Sequence, residues 1–481
     1  MRWISGAIVL ILVVLAGVFI FGQASNASKN RPNVIFILTD DLDFPLMPYM
    51  ENTNKLIGEQ GATFTNYFVT SSACCPSRSS TLRGQYPHNT GIFENSPGFE
   101  KFNKLGNNKI TIATWMKSEG YKNSFLGKYL NLYPTGVKRS YIPPGWADWH
   151  VFLDEGQPFY YAYTMNENGK LVRHQKKDED YSTDVIKEKA LEFISQSIER
   201  GSPFFTFISV YAPHGPDEPA PRHADLYTDL IYPKSPSFHE DDISDKPFII
   251  TDLRRTGGLF ENEEADALFV RRVQTVQAVD EMVADLVQLL EETGQLDNTY
   301  IFFTSDNGFH MGEHNLPSGK MLAYEEDIHV PLFVRGPGIQ PGTIVTQMTA
   351  NIDIAPTIAE LAGAKTAEFV DGSSFAPFML SSDQQPVDWR QSLLIETGDL
   401  DRESPVIAYR GVRTDKFIYI EYESGELEFY DLIADPYEVD NLAGSLSEET
   451  LSTLHTWLEQ LKACKTNECR NLEMAVPDIK Y

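Results

Sequence analysis

The sequence predicts an α/β fold in which a large mixed, mostly parallel sheet is flanked by helices, followed by a small C-terminal α+β subdomain with an antiparallel sheet. Continuous apolar runs of strand length alternate with helical segments, as in sheets covered on both faces. Several runs end in carboxylates, at the edge where open α/β sheets bind ligands. After about residue 388 the pattern changes to short strands, which indicates the second unit.

Two of the apolar runs end in acidic groups. The run at 34–38 leads into Asp40 and Asp41, and the run at 299–304 leads into Asp306 and Asn307. Three converging carboxylates would repel one another strongly unless a cation or a proton intervened. A divalent cation resolves this repulsion, and all-oxygen ligation favours Ca²⁺ or Mg²⁺ over Zn²⁺. Taken singly, each residue would more often be a helix cap or a surface turn.

The remaining elements are predicted from the periodicity of apolar residues and from the Gly and Pro residues that end helices and strands. We expect helices at about 50–61, 110–120, 182–197 and 263–292, and strands at 63–69, 122–126 and 203–210. Residues 132–182 are rich in Pro, Gly and Tyr and are expected to form surface excursions. The stretch from 216 to about 258 is long and acidic, and is expected to form a rim over the site.

The C-terminal part is predicted to form its own small unit. Strands at 417–422 and 427–430 precede a helix that starts near Ser445, with Glu448 in the capping-box position. The predicted boundaries are therefore 1–24 for a signal peptide or N-terminal anchor, 31–385 for the catalytic domain and 386–481 for the C-terminal α+β subdomain.

Charge and the N-terminal segment limit the functional classes. The chain has 40 basic and 68 acidic residues, a net charge of −28, which argues against nucleic-acid binding. An anionic substrate would therefore need local cations or a metal. Arg2, the apolar run 6–22 and the small residues around Ala24 indicate an export signal, either cleaved or retained as an anchor. The protein is thus expected to be secreted or extracytoplasmic, in a periplasm, at a cell surface or in a lysosome-like lumen. Cys464 and Cys469 fit a small disulfide loop there.

The segment Cys74-Cys75-Pro76-Ser77-Arg78 concentrates reactive chemistry. Ser77 is expected to cap a helix whose first turn points its N–H groups towards Cys74. Arg78 adds a fork of donors that suits a tetrahedral oxyanion. These residue types indicate a nucleophile at an anion-binding helix start, with a buried or disulfide-bonded cysteine pair as the alternative.

Three further cationic or titratable residues follow predicted strands or lie in glycine-containing loops. They are Lys128, His214 and Lys320. Taken singly, a loop lysine is usually a solvated surface residue, and a histidine after proline is more often a turn residue than a catalyst. Together they would supply cations for the oxygens of an anionic group and a proton donor for a leaving group.

The Cys74 segment resembles the sulfatase signature C-x-P-S-R, with Leu82 and Gly84 at the spacing of that family. The resemblance implies the alkaline phosphatase-like fold and oxidation of Cys74 to formylglycine, whose hydrate attacks the ester sulfur. Arg83 stands where many members carry Thr or Ser. A formylglycine-generating enzyme is then a partner during maturation.

The resemblance extends over nearly the whole mature chain and implies the site residues. It implies Asp40, Asp41, Cys74, Asp306 and Asn307 as the metal ligands, with Ca²⁺ as cofactor and Mg²⁺ as alternative. It implies Cys74, Arg78, Lys128, His214 and Lys320 as the catalytic residues, through the Gly-Lys, Pro-His and Gly-Lys motifs that contain the last three.

One position departs from the family pattern. Many arylsulfatases have Gly-Lys-Trp-His, whereas this chain has Leu130 in place of the histidine. In those enzymes the histidine contacts the hydroxyl of the nucleophile. Here that contact is either absent or made by Asn131 or His310, which are the candidate substrate contacts. The doubled cysteine and Asn307-Gly308-Phe309-His310 look most like the N-acetylglucosamine-6-sulfatase and arylsulfatase branch.

The resemblance implies a hydrolase for a small sulfated carbohydrate, such as N-acetylglucosamine 6-sulfate, or for an aryl sulfate. The alternative within the same superfamily is a phosphoester or phosphonate monoester hydrolase. An inactive, sugar-binding relative would keep the fold without the aldehyde. Membrane contact is expected only through an uncleaved N-terminal anchor.

Overall fold

The computed structural model describes residues 31–156, 159–380, 388–398 and 408–481. The predicted export segment 1–24 and the predicted domain boundary between 385 and 386 lie outside these residues, so both stay predictions. Across the described ranges, no helix is both long and apolar enough to cross a membrane.

The described strands form three sheets. In chain order they are β1 (Asn33–Asp40), β2 (Ala62–Phe64), β3 (Tyr67–Phe68), β4 (Lys122–Gly127), β5 (Asp148–Phe152), β6 (Thr164–Glu167), β7 (Lys170–Arg173), β8 (Phe204–Pro213), β9 (Thr299–Ser305), β10 (Leu332–Arg335), β11 (Thr343–Val345), β12 (Thr349–Ala350), β13 (Ser392–Thr397), β14 (Tyr409–Thr414), β15 (Phe417–Tyr422) and β16 (Leu427–Asp431). The large sheet has the order β11-β2-β10-β9-β1-β8-β4-β5-β6-β7. This confirms the predicted mixed sheet.

The α-helices are mostly connections between strands of the large sheet. They are α1 (Glu51–Thr53), α2 (Cys74–Arg83), α3 (Pro87–Thr90), α4 (Gly98–Lys104), α5 (Ile112–Ser118), α6 (Ser182–Glu199), α7 (Phe248–Gly257), α8 (Asn262–Glu292), α9 (Glu325–Ile328), α10 (Ile354–Ala362), α11 (Ala376–Leu380), α12 (Glu448–Ala463) and α13 (Asn467–Met474). A π-helical turn, Asn54–Gly58, continues α1, and short 3₁₀ turns occupy Phe44–Tyr49, Asn107–Lys109, Asp178–Asp180, Pro221–His223, Leu296–Asn298, Asn351–Asp353 and Ala443–Ser445.

The central strand β1 is buried along its whole length and is parallel to both β8 and β9. Its side chains alternate between two cores: Val34 and Phe36 pack on one face, with α2, α5 and α10, and Ile35 packs on the other, with α6 and α8. The register sets Asp40 opposite Pro213, and Thr39 opposite Ser305. The carboxyl ends of β1, β8 and β9 therefore meet at one edge.

The C-terminal strands β13 to β16 form an antiparallel meander, as predicted. Helix α12 begins two residues later than predicted: its N-cap is Ser447, whose hydroxyl accepts a hydrogen bond from the Thr450 N–H. Ser445 instead belongs to a preceding 3₁₀ turn, so Glu448 is the first helical residue. The predicted Cys464–Cys469 disulfide is present.

Two predicted segments were wrong in detail. The strand expected at 63–69 is divided, because β2 pairs with β10 and β11 in the large sheet while β3 pairs with β12 in a separate one. The expected surface excursion at 132–182 instead supplies β5, β6 and β7, which extend the large sheet. Several of its aromatic residues are core residues: Trp149 is buried beside Phe125, and Tyr133 is buried beside Trp149.

Candidate active site

The structure brings Asp40, Asp41 and Asp306 together where β1 and β9 end. Asp41 has a left-handed backbone (φ 66°), which turns the chain sharply after the strand. Its N–H donates to Oδ1 of Asp306 at 3.2 Å, while the N–H of Asp306 donates to the Thr39 carbonyl at 3.1 Å. All three carboxylates are buried.

Asn307 completes the set of oxygen donors. Its Nδ2 donates to Oδ1 of Asp41 at 2.7 Å, and its Oδ1 is buried without a hydrogen-bond partner among the described residues. The next residue must be glycine, because a Cβ on Gly308 would lie 2.0 Å from the Glu326 carbonyl oxygen. A 180° rotation of the Asn307 amide exchanges its nitrogen and oxygen, so either atom can face Asp41.

Cys74 is the first residue of α2, and all ten residues of that helix are buried. The expected cap at Ser77 was wrong: Ala73 is the N-cap, and Ser77 lies inside the helix, where its hydroxyl accepts from the Asn351 amide. Pro76 is tolerated because N–H groups of the first helical turn have no intrahelical acceptor. The thiol is thereby held at the helix start itself.

The Cys74 thiol lies between a carboxylate and a lysine ammonium group. Its Sγ is 3.5 Å from Oδ1 of Asp40 and 2.8 Å from Nζ of Lys320. Burial raises the pKa of the thiol to about 12, although the charges of Lys128 and Lys320 oppose this rise. At neutral pH the unmodified group is thus a thiol, not the nucleophilic thiolate.

Arg78 is one turn further along α2 and is also buried. Its Nε donates to Oδ2 of Asp306 at 2.7 Å, and its Nη1 donates to the Ser209 hydroxyl at 2.6 Å. Its Nη2 lies 3.6 Å from Oδ2 of Asp40. The guanidinium thus joins the ends of β1, β8 and β9.

Two lysines flank the carboxylates: Lys128 is buried, and the Lys320 side chain is 13% exposed. Lys128 Nζ lies 2.5 Å from Oδ2 of Asp40, and Lys320 Nζ contacts Oδ1 of Asp41. Gly127 is essential to the position of Lys128, because it has φ 107° and a Cβ there would lie 1.8 Å from the Ser209 carbonyl oxygen. Burial lowers the pKa of Lys320, but the charges of Asp41 and its neighbours raise it well above its usual value.

These cations keep the carboxylates ionised. Burial would raise the pKa of Asp40, but the charges of Lys128, His214 and Arg78 lower it to about 2. For Asp41, burial is likewise outweighed by Lys320 and His214, and its pKa is lowered. The centre therefore offers anionic oxygen ligands at neutral pH.

His214, just after β8, lies at the margin of this centre. Its Nε2 is 3.9 Å from Oδ2 of Asp41, and its Nδ1 is 2.7 Å from the Gly215 carbonyl oxygen. The side chain is 26% exposed, unlike those of the carboxylates. It is thus the predicted catalytic residue most accessible to a ligand.

The two candidate substrate contacts are less direct. Neither Asn131 nor His310 forms a hydrogen bond with the Cys74 side chain in the described ranges. His310 Nδ1 lies 2.8 Å from Oδ1 of Asp327, whose charge raises the histidine pKa although burial opposes it. Its backbone bridges to Gly319, next to Lys320, so His310 braces that loop. Asn131 Oδ1 is buried without a partner among the described residues.

The donor set fits a divalent cation. One ligand atom from each of Asp40, Asp41, Cys74 and Asp306 lies within 4.8 Å of the others, and the Asn307 amide contacts Oδ1 of Asp41. Hard oxygen donors of this kind suit Ca²⁺ or Mg²⁺.

Sequence reasoning missed two buried residues that position the centre. Ser209, within β8, accepts from Arg78, and Arg272 of α8 donates to the Asp41 carbonyl at 2.6 Å. Ser209 could have been noticed as a hydroxyl near the end of a predicted core strand. No local pattern in α8 distinguishes Arg272 from other helical arginines.

The sequence matches known families over most of its length. The profile described as Sulfatase matches residues 32–364, and that described as N-sulphoglucosamine sulphohydrolase, C-terminal, matches residues 312–464. The N-acetylglucosamine-6-sulfatase of Homo sapiens is 34% identical, covering 98% of this chain and 92% of the relative. An arylsulfatase of Volvox carteri is 30% identical, covering 93% and 76%.

Solved structures share the fold. One, described as a complex with its substrate D-glucosamine-2-N,6-O-disulfate, has a TM-score of 0.75 at 24% identity and covers 92% of this chain and 99% of its own. The phosphonate monoester hydrolase of Silicibacter pomeroyi has a TM-score of 0.71 at 21% identity, covering 90% and 94%. The family match and the long relatives together establish that this chain belongs to the sulfatase family and is a sulfuric ester hydrolase.

Proposed function

We propose that this hydrolase removes the sulfate ester of a small sulfated amino sugar, such as N-acetylglucosamine 6-sulfate, with formylglycine at residue 74 and a divalent metal. The observation that carries the proposal is the position of Cys74, at a buried helix start between Asp40 and Lys320. A thiol with a pKa of about 12 is a poor nucleophile there, whereas an aldehyde hydrate at the same position needs no thiolate.

The metal would be held by residue 74 together with Asp40, Asp41, Asp306 and Asn307. When bound, Ca²⁺ or Mg²⁺ supplies Lewis-acid polarisation of the nucleophile and of the sulfuryl oxygens. The ionised carboxylates provide the negative charge that retains it. Arg78 keeps Asp306 and Asp40 in position by joining both.

The cations of the chain stabilise the sulfuryl group. The ammonium groups of Lys128, which is buried, and of Lys320, which is partly exposed, face the sulfur-bound oxygens as negative charge develops on them. A formylglycine hydrate at residue 74 would supply two hydroxyls, one for attack on sulfur and one for the later release of sulfate. His214, at the accessible margin, protonates the departing alcohol oxygen.

The sugar substrate is supported by the relatives. Long relatives from Homo sapiens and Bacteroides thetaiotaomicron are described as N-acetylglucosamine-6-sulfatase and N-acetylglucosamine-6-O-sulfatase. Extracellular sulfatases are also among the relatives, in agreement with an extracytoplasmic location. With a net charge of −28, attraction of a sulfate ester depends on the local cations of the site.

Peptide mass spectrometry and kinetics test the proposal together. The active native protein should carry an aldehyde at residue 74, and Cys74→Ser should stop after at most one turnover, because serine has no second hydroxyl to expel sulfate. Cys75→Ser is the matched control, since Cys75 is an equally buried neighbour, and it should retain turnover. An unmodified thiol in active protein, or sustained turnover by Cys74→Ser, would refute the proposal.

A parallel assay addresses the phosphonate alternative raised by the fold. N-acetylglucosamine 6-sulfate and an aryl sulfate are compared with an aryl phosphonate monoester. The proposal predicts the highest kcat/KM for the sulfated sugar; a higher value for the phosphonate would favour the alternative.

A further inference from the structure

A second group of metal-ligand side chains lies apart from the nucleophile and shares no residue with its site. It consists of His314, in the loop between Asn307 and Lys320, Glu326 of α9 and Glu438, after β16. One potential ligand atom from each residue lies within 4.8 Å of the others. His314 and Glu438 are completely buried.

Each of these side chains uses one of its two polar atoms and leaves the other without a partner. His314 Nδ1 lies 2.9 Å from Oε2 of Glu240, and Oε2 of Glu438 accepts from the Glu325 N–H at 2.8 Å. Glu326 Oε1 accepts from the Ser237 hydroxyl at 3.2 Å. The remaining atoms are Nε2 of His314, Oε2 of Glu326 and Oε1 of Glu438, and all three are buried with no hydrogen-bond partner in the described ranges.

Buried polar atoms without partners are costly, and three of them in one place require an explanation. Lys246 does not offset the charge of these groups, because it pairs with Glu240 at 3.0 Å and donates to the Val439 carbonyl. Burial together with nearby carboxylates raises the pKa of Glu326 to about 8 and that of Glu438 well above its usual value. A cation between the three atoms would remove both problems.

We propose that His314, Glu326 and Glu438 form a second, structural site for a divalent transition metal, with Zn²⁺ as the best fit. An imidazole nitrogen with two carboxylate oxygens suits Zn²⁺, whereas Ca²⁺ prefers oxygen ligands alone. The Glu240 carboxylate on Nδ1 of His314 is the second partner that metal-bound histidines usually have, and it leaves the Nε2 lone pair for the metal.

This ion would connect the catalytic loop with the C-terminal subdomain. His314 lies six residues before Lys320, and the neighbour of Glu326, Glu325, pairs with Arg413 of β14 at 2.9 Å. The Glu326 carbonyl also accepts from the Phe309 N–H, close to Asn307. The metal would therefore fix the segments on both sides of Lys320 to β14 and to the segment after β16.

Metal analysis of the full-length protein tests this site. Wild type is first stripped of metal with a chelator and then incubated with Zn²⁺ in the presence of excess Ca²⁺. After unbound metal is removed, elemental mass spectrometry measures the zinc bound per chain. Glu438→Gln and His314→Gln should each bind one zinc ion fewer per chain than wild type. Asp306→Asn, at the other site, and His455→Gln, in the exposed Glu421/His455/Glu459 cluster, are the matched controls and should keep that ion.

A measurement on wild type alone covers the case in which a variant fails to fold. Zn²⁺ added to stripped wild type should raise the Tm and release protons, because the carboxyl groups of Glu326 and Glu438 must lose theirs to bind the ion. Substitution by Co²⁺ should give a visible absorption band typical of mixed nitrogen and oxygen ligation. Equal zinc in all the variants, loss of zinc only in Asp306→Asn, or no change in Tm and spectrum would each overturn the proposal.

Discussion

The two buried acidic clusters of this protein differ in what compensates their charge. At the ends of β1 and β9, Lys128, Lys320 and Arg78 contact the carboxylates directly, and the pKa of Asp40 falls to about 2. Around His314, the pKa of Glu326 instead rises to about 8. Asp40 and Glu438 are both completely buried, yet the pKa of Glu438 is well above its usual value, so the neighbouring cations decide whether a buried carboxyl is an anion.

The comparison also separates two kinds of metal affinity. The first cluster is ionised before any ligand binds, because its cations belong to the chain. The second must exchange protons for a metal, so its affinity for that metal should be more dependent on pH. The changes below test this difference, from the largest expected effect to the smallest.

Removal of Arg78 should break the first cluster. Arg78→Met leaves Asp306 and Asp40 buried without their guanidinium partner, which typically costs about 3–5 kcal/mol of unfolding free energy. Denaturant titration of the two proteins measures the loss. Arg139→Met is the matched control, because Arg139 pairs with Glu155 at the surface and should change stability by about 0–1 kcal/mol. Equal losses for both variants would contradict the role of Arg78.

Removal of Lys320 should affect turnover more than folding. Lys320→Met takes away one cation from the sulfuryl group and from Asp41, and losses of this kind typically lower kcat by about 10²–10³-fold. Steady-state kinetics with an aryl sulfate measures the effect, and metal analysis shows whether the divalent cation is retained. A variant with wild-type kcat would show that Lys320 has no part in transition-state stabilisation.

A peripheral site shows the same compensation on a smaller scale. Burial lowers the pKa of His150, but its contacts with Asp148 and Glu167 raise it to about 9. A folded-state pKa above the unfolded value stabilises the protein below about pH 6.5, and the contribution disappears as the pH rises through about 9.

His150→Gln should therefore be less stable than wild type at pH 6, by roughly 1–2 kcal/mol, and equally stable above pH 9. Thermal or denaturant unfolding across this range measures the difference. A difference that stays constant with pH would mean that packing, and not the ion pairs, accounts for the effect.

The sequence alone predicts the parallel core and its acidic edge, because β1, β8 and β9 are continuous apolar runs followed by polar residues. It does not predict that α2 begins at Cys74, because Ser77, the expected cap, lies inside the helix and its hydroxyl accepts from Asn351, which is distant in sequence. The strands β5 to β7 were missed because their Tyr- and Trp-rich segments resemble loops until they pack beside Phe125.

The candidate site was predictable residue by residue where strand ends or short motifs mark it. The groups that hold it together were not: Ser209 and Arg272 are distant from the motifs in sequence and act through contacts that only the fold creates. The cluster of His314, Glu326 and Glu438 was missed for the same reason, since its residues are spread over more than a hundred positions.

The complete burial of α2 sets an order of events in biosynthesis. Once the sheet and helices have closed around Cys74, a maturation enzyme has no access to the thiol. On the proposed function, aldehyde formation must therefore precede folding, while the newly made segment is still extended. A chain that folds before oxidation would be well folded but permanently inactive. The yield of active enzyme would therefore depend on whether oxidation of Cys74 is faster than folding.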